Sequence, residues 1–150
     1  MEKKKINLIT MRFLKDQDKR MFLIKFPYWL GIGADALWAV ALFFPSVYGN
    51  LTGNQEFIPE FQTRQILSIA GTLMTGWTLL LLWAVRKPIE RRGVILLTAV
   101  PVVSGLLIVG LFGLFNGSTL PVWIIVKSII LIISMITSYI LAGKQKENLL

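Results

Sequence analysis

The chain has 150 residues, 55% of them hydrophobic, with a mean hydropathy of +0.66 and a net charge of +8. A single water-facing domain of this length needs a largely polar surface, so the composition excludes an ordinary soluble domain and points to a surface that faces lipid. Neither Cys nor His is present, which excludes disulfides, thiolate chemistry, the usual zinc and haem sites and histidine acid–base catalysis; no metal and no cofactor is expected.

Residues 1–26 form a basic arm. In it Ile6, Leu8, Ile9, Met11, Phe13 and Leu14 interleave with charge, the pattern of an amphipathic helix lying on a membrane interface. Asp16-Gln17-Asp18 offers a break and an N-cap for a second helical start at Lys19. Four apolar runs follow, at residues 27–47, 66–85, 93–115 and 120–141. Each reaches the length of about 20 helical residues that crosses a hydrocarbon core of about 30 Å. Ala34-Asp35-Ala36 imitates a signal-cleavage site, but the apolar run continues past it, so the first run reads as a retained helix.

The connections are uneven. Residues 48–65 make the long one, with NLTGN and IPEF as turn chemistry. RKPIERR and NGST are short and force antiparallel neighbours. The sequons at Asn50 and Asn116 read as turn residues. Tyr28, Trp29 and Trp83 fit an inner aromatic belt; Tyr48 and Trp123 fit an outer one. Residues 142–150 form a tail.

Charge placement gives an orientation. Of sixteen Lys and Arg, eight precede Pro27, four lie in the hairpin (Arg86, Lys87, Arg91, Arg92) and two follow the last run (Lys144, Lys146). The opposite loops hold Arg64 against Glu56 and Glu60. By the positive-inside rule both termini are cytoplasmic. The predicted fold is therefore an all-α membrane protein: an antiparallel four-helix transmembrane bundle with an N-terminal amphipathic interfacial segment, in the cytoplasmic membrane of a prokaryote. Topology and attraction to anionic lipid headgroups account for the basic charge without nucleic acid. A homodimer or a membrane-protein partner is compatible with this plan.

Chemistry is concentrated at one carboxylate. At about 1.5 Å per residue, Asp35 lies about 12 Å from the inner end of its run. Thr78, Pro101 and Ser134 fall in the same layer, with Thr75, Trp77 and Trp38 nearby. Pro101 leaves the Leu97 carbonyl without its usual donor. Small residues give the rotation: Gly31, Asp35 and Ala39 form one row, and Gly33, Ala36 and Ala39 another. Gly71, Thr75 and Gly76 give the second run a matching face. Pairing these faces buries Asp35 between the first two spans. Lys127 lies about 9 Å from the outer end of its run and about 9 Å above Asp35 along the membrane normal. It either snorkels to the outer headgroups or pairs with Asp35.

A deep carboxylate costs at least about 2.5–3.5 kcal/mol, so it is usually retained for a reason. Three readings follow: a transporter or small-molecule or lipid-binding protein with its site at Asp35, an accessory protein acting through packing and its basic arm, or an intramembrane lipid-modifying enzyme. The last would rely on Asp35, Lys127 and hydroxyls, with no catalytic motif among them. With four spans, an acid in the first and Trp38 and Trp77 deep in the membrane, the chain resembles in plan the small multidrug resistance transporters. Their four-helix subunits carry an acid in helix one and work as dimers. The likeness is in plan, without a shared motif; the acid here is Asp and the basic arm is extra. A looser similarity extends to other four-span bacterial proteins such as the DoxX-like group.

Overall fold

A lipid-facing backbone must satisfy its N–H and C=O groups within its own segment, and a helix does this. The computed structural model describes residues 2–115 and 122–147, with residues 2–16 and 123–124 described by backbone alone. The NGST turn with its Asn116 sequon, the Trp123 side chain and the side chains of residues 1–16 of the amphipathic arm lie outside the described residues. Among the described residues the helices are α1 (Glu2–Phe43), α2 (Pro45–Thr52), α3 (Phe61–Ala84), α4 (Arg92–Leu97), α5 (Ser104–Phe115) and α6 (Val122–Glu147). A π-helical turn, Thr98–Val103, joins α4 to α5. No strand occurs among them.

Four helical segments are long and apolar enough to cross a membrane: Gln17–Phe43, Phe61–Ala84, Arg92–Phe115 and Ile125–Glu147. Large apolar side chains stand exposed along all four, including Phe22, Leu37, Leu73, Ile108, Phe112 and Ile133. Water would penalise that surface; lipid does not. The chain is a multi-pass membrane protein on these grounds.

Three local expectations are corrected. The break at Asp16-Gln17-Asp18 is absent, because α1 runs unbroken from Glu2 to Phe43 with Pro27 inside it. At about 1.5 Å per residue it is about 60 Å long, about twice the hydrocarbon thickness. The first span ends at Phe43, and Pro45, at the first position of a new helix, opens α2 where turn was expected. Gly53 then closes α2 at φ 80°, a left-handed value suited to glycine. The Leu97 carbonyl was expected to be orphaned by Pro101. Instead the backbone around Pro101 widens into the π turn, and the Ser104 N–H reaches back to the Ala99 carbonyl.

Helix α1 is the hub. Its buried stripe runs Ile24, Tyr28, Gly31, Ile32, Asp35 and Ala39, helical spacing for a face covered by neighbours. It packs most extensively on α3 and also on α6. Gly31 lies against Leu81 and Met135, while Leu42 and Phe43 lie against Gly71, so α1 and α3 run in opposite directions. Ser138 Oγ donates to the Ile24 carbonyl at 2.7 Å, tying α6 to α1. Trp77 Nε1 donates to Thr98 Oγ1 at 3.1 Å, tying α3 to the π turn. The remaining segments of the third span pack on α6.

The dense core, with Tyr28, Leu81, Ile95, Ala99, Leu131 and Met135, fills the half of the helices nearest the 85–91 hairpin. Tyr28 belongs to this core and not to an aromatic belt; its hydroxyl donates a long, shared bond to the carbonyls of Pro88 and Arg91, 3.4 Å from each. Trp29 and Trp83 are exposed, as belt residues would be. The Arg91 guanidinium stacks 3.5 Å from the Trp83 ring centroid.

Candidate functional site

Above the core the helices do not close. A cavity of about 350 Å³ lies between the other halves of the helices, within the range of small-molecule sites, about 300–1,000 Å³. From α1 it is lined by Ala34, Asp35, Trp38 and Leu42; from α2 by Tyr48 and Thr52. Helix α3 adds Ala70 and Met74, and α6 adds Lys127, Ser128 and Leu131. The third span supplies Val103, at the end of the π turn, with Leu106, Val109 and Gly110. A larger depression of about 510 Å³ is lined by residues of α3 alone, Phe61, Arg64, Gln65, Ser68 and Ile69. With no second wall it is a surface groove, and the chemistry lies elsewhere.

Asp35 is on the buried stripe of α1 and is only 6% exposed. Its Oδ2 is buried with no hydrogen-bond partner among the described residues. A buried polar atom left so costs about 1–3 kcal/mol, more when charged. Trp38, one turn further along α1, receives the Lys127 ammonium 5.5 Å from its ring centroid. Asp35 and Lys127 thus line the same cavity with opposite charge types. Tyr48 stands edge-on to Trp38, centroids 6.3 Å apart, and Phe57 packs behind Tyr48 at 5.0 Å. The site thus combines one carboxylate, one ammonium and two aromatic rings with otherwise mostly apolar walls.

Of the residues expected at the site, Asp35, Trp38 and Lys127 meet in the cavity. The other four do not line it. Thr75 and Thr78 donate to carbonyls one turn back in α3, those of Gly71 and Met74, at 2.8 and 2.9 Å. Ser134 donates to the Leu131 carbonyl at 2.9 Å, and Trp77 is held by Thr98. Hydroxyls in a helix satisfy themselves locally in this way. Among the packing residues, Gly31, Ala39 and Gly71 are buried and Ala36 is half-buried. Gly33 and Gly76 have open space where a Cβ would stand, and Pro101 is exposed. The first-span rows thus face a partner through Gly31, Asp35 and Ala39, while Gly33 looks outward.

Tyr48, Thr52, Met74 and Ser128 line the cavity although the sequence did not single them out for it. Tyr48 and Thr52 were hidden by reading 48–52 as belt and turn. Pro45 just inside a helix start is the signal that could have placed them.

No protein-family model, curated protein or solved structure matches the chain.

Proposed function

We propose that this protein binds, and as a small transporter moves, a small molecule or lipid in the cavity at Asp35. The observation that carries this reading is the buried Oδ2 without a partner among the described residues, on a side chain that lines the cavity. A carboxylate kept only to join two helices would find its donor on the neighbouring helix. Here the hydrogen-bonding capacity is left for something that enters. The Lys127 charge offsets the cost of an acid at this depth, and Trp38 and Tyr48 supply flat apolar walls.

In this reading the four spans form an antiparallel bundle in a prokaryotic cytoplasmic membrane, with both termini inside. The fourteen basic residues on one side support that orientation. The N-terminal extension of α1 then lies on the cytoplasmic side, held near anionic headgroups by its Lys and Arg residues.

The test is binding of an environment-sensitive apolar dye to the protein in nanodiscs. Ala70, a lining residue of α3, is the place to fill the cavity. Ala70→Trp should abolish saturable binding while helical content is kept, and it should abolish any solute exchange in liposomes. Undiminished dye binding by this variant would reject the cavity as the site.

A further inference from the structure

We propose that the cavity takes a neutral lipid alcohol, an apolar body ending in a hydroxyl, which enters sideways from the bilayer between α3 and α5. This deepens the reading of the cavity as a binding site and rests on it.

The route follows from how the third span packs. Its inner segment, α4, packs on α3, but among the described residues α5 has no comparable packing there and lies on α6 instead. The π turn at Pro101 separates the two segments. Beyond it, Met74 and Ala70 on α3 and Leu106 and Val109 on α5 line one cavity from two sides. Val109 is 66% exposed and Leu106 43% exposed, so these cavity residues also face outward, where the lipid lies. A molecule dissolved in the bilayer reaches the cavity through that gap without crossing water.

The headgroup follows from charge. Asp35 and Lys127 already set one acidic and one basic side chain in the lining. An ammonium ligand would add an unbalanced positive charge to this site and a carboxylate an unbalanced negative one, each costly away from water. What Oδ2 needs is a hydrogen-bond partner. A hydroxyl is neutral, and it donates to a carboxylate or accepts from a carboxylic acid equally well. The apolar remainder then rests against Leu42, Met74, Leu106 and Leu131.

The experiment uses three photoreactive diazirine probes of one chain length, ending in a hydroxyl, an amine or a carboxylate, with the full-length protein in nanodiscs. Cross-linked peptides are mapped by mass spectrometry. The hydroxyl probe should label the segments around Met74 and Leu106 about tenfold more than the other two, the scale of one net hydrogen bond. Asp35→Leu should erase that preference. Val109→Trp, which narrows the gap and leaves Asp35 in place, should reduce labelling by the hydroxyl probe several-fold. Equal or stronger cavity labelling by the amine or the carboxylate would overturn the ligand class and leave the binding site standing. Labelling unchanged by Val109→Trp would overturn the lateral route. Failure of all three probes to label the cavity would overturn this inference and the binding reading together.

Discussion

Gly31 and Gly33 stand two residues apart on α1 and should respond oppositely to the same substitution. A Cβ at Gly31 would lie 3.0 Å from Met135 Cε and 3.3 Å from Leu81 Cδ1, whereas one at Gly33 meets nothing within 4 Å. Replacing either with Leu gains similar helix propensity, up to about 1 kcal/mol. At Gly33 that gain stands alone, so Gly33→Leu should be neutral or stabilising by up to about 1 kcal/mol. At Gly31 the added side chain must displace both Met135 and Leu81, and overpacking of this kind costs about 1–3 kcal/mol. The two variants should therefore differ by about 1–3 kcal/mol, since the propensity gain cancels between them. That is about one to two powers of ten in the unfolding equilibrium, measured by denaturant titration in mixed micelles or by steric trapping in bilayers. Equal destabilisation at both positions would refute the reasoning, because it would mean that the Gly33 face also packs against something, a second copy included.

Three further outcomes are expected. In the cycle Asp35→Asn, Lys127→Met, each single change should cost about 3–5 kcal/mol by leaving an uncompensated charge, and the double change should recover much of it; additive shifts in Tm would show that the two charges do not depend on one another. Ser138→Ala, which removes the bond to the Ile24 carbonyl, should cost about 0.6–1.7 kcal/mol, while Thr137→Ala, an exposed hydroxyl bonded within α6, should stay within about 0.5 kcal/mol of the parent in the same assay. Impermeant thiol reagents added to intact cells should label Asn54→Cys but not Lys4→Cys, Ile89→Cys or Lys146→Cys; outside labelling at position 89 would invert the topology.

The four spans were legible because each is a continuous apolar run of membrane-crossing length, a signal that survives errors at the ends. The ends themselves were not. Asp16 and Asp18 are good N-cap residues, yet helix-forming residues on both sides carried α1 straight through them. Asp35 and Trp38 could be placed together from a single helical turn. Their meeting with Lys127 could only be measured on an upright ruler, which ignores helix tilt and the bend in the third span. Thr75, Thr78 and Ser134 share the depth of Asp35 but not its lining, because depth along a helix does not say which way a side chain points, and each donates its hydroxyl to a carbonyl of its own helix. The rows of Gly33 and Gly76 misled because small residues permit close packing without saying which way a helix is turned.

The claim that Asp35 serves a ligand is tested most directly by a high-resolution structure of the protein in nanodiscs made with its native lipids. The expected result is ordered non-protein density within hydrogen-bond distance of Asp35 Oδ2, about 2.5–3.0 Å for an oxygen partner, continuing into the space between Met74 and Leu106. A closed, dry cavity with Oδ2 bonded to a donor of the protein itself would contradict it and make Asp35 a structural residue.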